Sequence, residues 1–537
     1  MTPASGPPEQ ALPATARLAR DSAVVGAATI LSRLLGFARD VMIARLLGTG
    51  PVADALLAAL RLPNLVRRVL GEGGLNAPFV PLYLAIRGER GAQAATDFAG
   101  RALGRLGLVL LAFVALAEIA APWVVLAMAG GFAGEPDTLA LATLYTRLML
   151  PFVLLTTLAA LLGALLNAQG RFLVAALAPA LMNVILLLAL LVAFRRGEDA
   201  HGSAVLFSLC LSLTGLAHLA LVLWDLRRVG VPRPSLSPSP DLTRLLRTGG
   251  ATLLAASAAQ LVLLVSTQLA STGAGSVAAL HYADRVFQLP LSFFGAAMGT
   301  VVLSAMAGER LAGPDPLLAR ALALGLALAL PAAVALMLLA EPIVSVLFEN
   351  GRFGAEDRLR TAAALAAFAP GLPLALVAKV FGQVYFVRHR PGPALAAGFA
   401  AVAVAVLAGF LMLGRSEAAT VAAQAASAAF LAQAGWLALC LLRDGLWRPR
   451  LAGLRPLVAL FAACAAMAAA LWLLLPLLGP WLAPSAPMPA RLGALAGLCL
   501  SGAAAYALAG FLLRAFDPVM PARLLRLRGA SARRPRS

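Results

Sequence analysis

An all-helical protein that crosses a membrane many times is the fold class this sequence predicts, and three observations predict it. Of 537 residues, 61% are hydrophobic and only 12% charged, where soluble domains carry about 45–50% and about 25%. The mean hydropathy is +0.89. Apolar runs of about 20 residues, the length that crosses a bilayer core, recur from one end of the chain to the other.

Fourteen spans account for those runs: 22–47, 52–86, 94–129, 137–167, 171–195, 203–226, 243–272, 276–308, 315–349, 356–388, 391–413, 418–443, 453–478 and 489–516. Several exceed the minimum length, so tilts and breaks are expected. The first span holds Arg33, Arg39 and Asp40, which makes it a poor cleavable signal and a retained helix.

The net charge of +19 is spread in a way that argues against a nucleic-acid partner. Arg recurs at alternate gaps between spans, as the positive-inside rule requires, and is not gathered on one soluble face. Arg87 and Arg90, Arg171, Arg227 and Arg228, Arg388 and Arg390, Arg443 and Arg448 lie in one set of gaps. The opposite set holds acids such as Glu135, Asp137, Glu198 and Glu356, with Arg352, Arg358 and Arg360 as exceptions. This bias places both termini in the cytoplasm, which an even number of spans satisfies.

The chain also repeats itself weakly. GFAGEPDTLA at 131–140 resembles RFGAEDRLRT at 352–361, and each opens a span interrupted by proline, Pro151 or Pro373. Leu62-Pro63 and Leu289-Pro290 are related by a similar shift. The expected organisation is a tail at 1–21, a six-helix lobe at 22–226, a linker at 227–242 and a second six-helix lobe at 243–443. Two further helices within 444–516 and a basic tail at 517–537 complete it. Repeats of this kind are common in secondary transporters, with the substrate site between the halves.

Charge inside the spans marks the candidate site. Each Arg near a bilayer midplane costs about 2.5–3.5 kcal/mol, so four of them cost roughly 10–14 kcal/mol, as much as a domain's whole stability. Such groups must face water, each other or an anionic ligand. On a helix, Arg33, Gly36 and Asp40 form one stripe and Arg39 sits about 120° away. The expectation is an Arg33–Asp40 pair that leaves Arg39 for a ligand. Asp54 follows Pro51 at a helix start, where a dipole role is the simpler explanation. Arg67 and Arg68 lie between breakers, with Pro63 before them and Gly71, Gly73 and Gly74 around Glu72 after them. Irregular backbone at membrane depth is tolerated where it is buried in protein or lines a wet cavity. Those breakers are the expected gating hinge. HYADRVFQLP adds Asp284 and Arg285, and Lys379, the one lysine of the chain, stands inside an apolar run.

Several guanidinium forks around one cavity suit a polyanionic headgroup such as a diphosphate. No Walker loop, metal-ligand cluster or nucleophile triad is present in the sequence. Cys210, Cys440, Cys464 and Cys499 all sit in apolar runs without ligand spacing. Neither catalytic residues, nor a metal, nor a cofactor is expected.

SRLLGFARD, then GTGPVADALLAALRLPNLVRRVLGEGGLNAPFVP, and later YADRVFQLP resemble the MurJ (MviN) lipid II flippases of bacterial cell-wall synthesis, and the resemblance covers essentially the whole chain. It implies a MATE-like fold of the MOP superfamily, with two six-helix lobes around a central cavity and two C-terminal helices forming a groove for the lipid tail. It implies transfer of undecaprenyl-diphosphate-linked muropeptide from the cytoplasmic to the periplasmic leaflet of the inner membrane by alternating access. By the same resemblance Arg33, Arg39, Arg67 and Arg285 fall on the family's cavity arginines. Asp40, Asp54 and Glu72 fall on its motif acids, and Lys379 on a lysine often found there. Expected partners are lipid II, membrane lipids, and a monovalent cation or the membrane potential as driving force. Gln288 stands where an acid is frequent in the family, so no ion ligands are assigned. The competing readings are a superfamily exporter of small molecules or of another polyprenyl-linked saccharide, a lipid-linked membrane enzyme, and a structural scaffold. An exporter of drugs would centre its cavity on acids, and an enzyme would need carboxylates on a large outward loop.

Overall fold

The computed structural model describes residues 14–69, 76–308, 314–388, 390–448 and 454–515. The expected hinge residues Gly71, Gly73 and Gly74 and the charge Glu72 lie outside them, as do the 517–537 tail and residues 1–13 of the expected 1–21 tail, whose residues 14–21 belong to the first helix. Every regular element among the described residues is helical.

In chain order the helices begin with α1 (Ala14–Leu47), α2 (Pro51–Ala59), α3 (Arg61–Val66), α4 (Asn76–Ile119), α5 (Ala121–Met128) and α6 (Pro136–Ala168). Next come α7 (Leu173–Arg196), α8 (Ala200–Leu226), α9 (Pro240–Ala270), α10 (Ser276–Gly308), α11 (Pro314–Leu338) and α12 (Ala340–Phe348). The chain closes with α13 (Ala355–Phe368), α14 (Gly371–Val387), α15 (Gly392–Met412), α16 (Ala418–Arg443), α17 (Leu454–Leu482) and α18 (Met488–Leu512).

Their boundaries follow local chemistry. Gly91, at φ +88° and ψ 172°, breaks α4 at the charged gap that the sequence marks with Arg87 and Arg90. Gly197, at φ +67°, ends α7 in the left-handed conformation that glycine tolerates without penalty. Asp199 then caps α8 by accepting from the Gly202 N–H at 2.7 Å. The helices α13 and α14 meet at a 43° bend beside Pro373.

Among the described residues nine helices are long and apolar enough to cross a membrane, or ten if the bent α13–α14 pair counts as one span. The expected spans 22–47, 52–86 and 276–308 fall outside that set, and these three carry the charge cluster. The span 243–272 also falls outside it, contributing only the short apolar stretch Gln260–Ala270.

The chain forms two compact units: residues 1–43, 62–121 and 143–253 in the first, and 44–61, 122–142 and 254–537 in the second. The first is built around Phe79, Phe98, Leu162, Leu165 and Val222, with the Phe79 and Phe98 rings stacked at 5.5 Å. In the second, Leu376, Phe381, Tyr385 and Leu437 form one cluster. The α17–α18 pair packs against α11, where the Tyr506 hydroxyl donates to the Ala327 carbonyl at 2.7 Å. Helices α15 and α16 pack against each other, and their buried positions are mostly small, Ala397, Gly398 and Ala401 on α15 and Ala422 and Ala426 on α16. Small residues let backbones approach closely where lipid tails compete with any larger apolar side chain. Phe410, Trp472 and Phe511 are left more than 70% exposed, an arrangement suited to hydrocarbon and costly in water.

Candidate functional site

In the first unit the site is organised by a stripe on α1. Ser32, Gly36 and Arg39 recur at about one helical turn and face Asn183 of α7. Arg39 is 6% exposed, and its Nε and Nη2 both donate to Asp40 Oδ1, at 3.0 and 2.7 Å. Its Nη1 donates to Asn183 Oδ1 at 2.9 Å. The Asn183 amide is held in turn, donating to the Ser32 carbonyl at 2.9 Å and to its hydroxyl at 3.3 Å. Glycine at 36 leaves room for this: a Cβ there would meet Asn183 Nδ2 at 3.3 Å.

This corrects one expectation. Arg39 is not left open by an Arg33–Asp40 pair; its neighbour Asp40 takes it, because a buried guanidinium without a counter-charge is too costly. Arg33 is exposed. A guanidinium has five N–H donors, so the three bonds leave Arg39 oriented, with two donors still available.

Arg67 also belongs to the first unit, in a different place. Residues 67–69 form a π-helical turn just after α3, a local widening frequent at functional sites. Arg67 lines a cavity of about 120 Å³ with Thr156, Thr157, Thr214 and His218 among small and apolar residues of α6, α7 and α8. Arg68 is half-buried on the same turn, and Pro63 is buried inside α3.

The second unit holds the remaining candidates. Asp54, 2% exposed, accepts from the backbone N–H groups of Gly275 and Ala278 at 2.6 and 2.8 Å. It therefore caps the start of α10, the helix that carries Asp284 and Arg285. The sequence pointed to a helix-dipole role within its own first turn; the helix it serves is α10. Around it, the Tyr282 hydroxyl donates to the Gly48 carbonyl at 3.0 Å, the Thr49 hydroxyl bonds Asp357, and the Arg352 N–H donates to the Arg45 carbonyl at 2.9 Å. Gly48 lies at φ +64°, and a Cβ there would come within 2.7 Å of the Arg352 carbonyl. The 122–142 segment is tied in the same manner, Gly130 and Gly131 donating to Gln268 and Ser271 at 2.6 and 2.9 Å.

Further along α10, Arg285 is half-buried and its Nε lies 3.4 Å from His281 Nε2. Asp284 accepts from Gln288 one turn further on. Lys379 is exposed on α14. Arg358 and Arg360, which break the charge asymmetry between gaps, are each paired with acids: Arg358 with Glu341 and Glu349, Arg360 with Glu356 and Glu417.

The sequence reading passed over three residues that matter. Asn183 is a lone amide in an apolar run, and that was a usable signal. Arg491 lies near the start of its span, where snorkelling is the ordinary reading, yet it is 4% exposed and donates to the Ser345 carbonyl and hydroxyl at 2.6 and 2.9 Å. His218 is isolated among leucines and alanines.

The family model described as Lipid II flippase MurJ matches residues 43–488. A protein of Rhizobium meliloti (strain 1021) described as a probable lipid II flippase MurJ is 36% identical over 529 residues, covering 96% of this chain and 97% of that one. A lipid II flippase MurJ of Burkholderia cenocepacia is 30% identical over 374 residues, 67% of this chain and 72% of its own. Among solved structures, a lipid II flippase MurJ in an inward closed conformation superposes with a TM-score of 0.78 at 21% identity, over 91% of this chain and 98% of that one. An inward-facing multidrug resistance MATE transporter of the MOP superfamily follows at 0.63 and 17% identity, over 77% and 95%.

Proposed function

The chain belongs to the MurJ family of lipid II flippases, and on that premise we propose how its buried charges serve the transfer. It is a multi-span membrane transporter and not an enzyme, and its substrate is lipid II. In the proposed mechanism Arg33, Arg39, Arg67 and Arg285 receive the diphosphate of the substrate, and the transfer runs by alternating access from the cytoplasmic to the periplasmic leaflet.

The observation that carries this reading is Arg39. A helix anchor needs no charge deep in a span, whereas this guanidinium is buried, fixed by Asp40 and Asn183, and keeps two donors unspent. A phosphate oxygen meeting it finds a donor whose orientation is already set, so little side-chain freedom is lost on binding. Asp40 also neutralises the site when no substrate is there, which lowers the cost of an empty cation in a partly desolvated place.

The Asp54 cap, the Tyr282–Gly48 bond and the Thr49–Asp357 bond are the proposed outward closure. Movement of the 44–61 segment away from 275–282 and 352–357 breaks all of them together, so they act as one latch. Pro63 and the glycines 71, 73 and 74 are the proposed hinge, and Lys379, Asp284, Arg68 and Glu72 the supporting charges. Both termini are assigned to the cytoplasmic side of the bacterial inner membrane, with lobes at 22–226 and 243–443 and the lipid tail along 444–516. A monovalent cation or the membrane potential is the proposed driving force.

The test is leaflet transfer of lipid II by the purified protein in liposomes. The expected result is transfer above protein-free vesicles, and transfer equal to that background would contradict the proposal.

A further inference from the structure

The cavity beside Arg67 has a construction that the four-arginine reading does not require. Three helices of the first unit pinch together around it: a Cβ on Gly163 of α6 would lie 3.6 Å from Ala175 of α7, and one on Gly215 of α8 would lie 3.0 Å from Leu155 of α6. Ala159, Ala160 and Ala178 then leave the space open between the contacts. Pro179 of α7 also lines it, and having no N–H it cannot donate to the carbonyl of Ala175 one turn earlier.

The polar lining divides into two kinds. Thr157 and Thr214 donate to the carbonyls of Val153 and Leu211 at 2.7 and 2.6 Å, so their hydrogens are spent within their own helices. Thr156 and His218 make no hydrogen bond to any described residue. Thr156 is only 6% exposed. It lines the cavity, so its hydroxyl is available to whatever enters. An apolar pocket that keeps a guanidinium, an imidazole and an unspent hydroxyl on its wall is chemically suited to an oxyanion.

We infer that this cavity is a phosphoryl subsite, with Arg67, Thr156 and His218 as its donors and small residues of α6 and α7 setting its size. The inference rests on the diphosphate reading above and adds two residues to it. The cavity has room for several waters, and so for one phosphate group. The subsite takes one end of the diphosphate; the same chemistry would also accept free phosphate.

The test measures binding of two probes, undecaprenyl diphosphate and inorganic pyrophosphate, to the full-length protein in detergent. Thr156→Val and His218→Leu remove one donor each, and Ala160→Leu fills the space without touching a polar group. Thr156→Val and His218→Leu are each expected to weaken undecaprenyl diphosphate roughly tenfold, the loss of about one hydrogen bond to a charged group, Ala160→Leu is expected to weaken it by occupying the space, and Thr156→Ser restores wild-type affinity and so controls for folding. Weakening of the lipid probe alone assigns the subsite to the lipid headgroup, and equal weakening of both assigns it to any phosphate that enters. Unchanged binding of both probes in all three variants overturns the inference and leaves a hydrated cleft only. The outcomes separate from the transport reading: binding lost in the variants with no lipid II transfer by the wild type removes the function and keeps the subsite. Transfer by the wild type with unchanged binding in the variants removes the subsite and keeps the function.

Discussion

Asp40 and Asp54 sit on neighbouring helices of one charged stretch and are buried to nearly the same degree, at 1% and 2% exposure. Their surroundings differ in kind. Asp40 gives one oxygen to two nitrogens of the Arg39 guanidinium, so it balances a full charge. Asp54 gives one oxygen to each of two backbone N–H groups at the start of α10, so it completes a helix end. The first carboxylate offsets the charge of a buried cation, and the second joins two segments far apart in sequence. On the proposed reading, one run of acids and arginines serves both recognition and closure.

The largest expected effect breaks the first arrangement. Asp40→Asn leaves a buried guanidinium without its counter-charge, a loss of about 3–5 kcal/mol for a buried pair. The expected result is a clear drop in thermal stability and loss of transfer; wild-type stability would show that Asp40 is not the charge that holds Arg39.

At Asp54 the same substitution is milder. An amide oxygen still accepts a backbone N–H, so Asp54→Asn costs roughly 1–2 kcal/mol, in the range of a helix cap. Asp54→Ala leaves both donors unmet and costs more. Cysteine accessibility near Gly48 reads the result: the latch predicts greater labelling from outside in Asp54→Ala, and unchanged labelling removes it. If Asp40→Asn and Asp54→Asn prove equally damaging, the division between charge balance and helix capping fails.

Much of this fold was legible before any coordinates. Proline, glycine and charged gaps marked the breaks, as at Gly91 just after Arg87 and Arg90, because a backbone that leaves the helix at a membrane surface must find polar surroundings. The residues of the charge cluster were legible for the same energetic reason. Their partners were not. Helical spacing puts Arg33 and Asp40 on one stripe, and it cannot show that a long, flexible Arg39 folds back onto its neighbour once Asn183 of a distant helix supplies the third bond. Asp54 stands in the first turn of its own helix, and only the tertiary arrangement brings the start of α10 to it.

Arg491 extends the comparison to the end of the chain. Its bonds to Ser345 tie α18 to α12, with Glu349 at 3.8 Å. Arg491→Met is expected to cost about 1.5–3 kcal/mol, the range for hydrogen bonds involving a charged group, read as a lower melting temperature. An unchanged melting temperature would show that the α17–α18 pair is held by apolar packing alone. The smallest effect belongs to Arg90, which pairs with Asp241 at 2.7 Å from a side chain 49% exposed. Exposed pairs contribute about 0–1 kcal/mol, so Arg90→Ala should leave stability and transfer near wild type, and a large loss would mean that surface pairs matter here as much as buried ones.

The most direct test of the central claim is complementation of a flippase-depleted cell by Arg39 and Arg285 variants, with membrane abundance measured alongside. If these guanidinium groups receive the diphosphate, Ala at either position fails at wild-type abundance. Lys retains part of the function because it keeps the charge and loses the fork, and Glu fails most completely because repulsion adds to the loss. Normal growth with Arg39→Glu or Arg285→Glu at wild-type abundance would contradict the account.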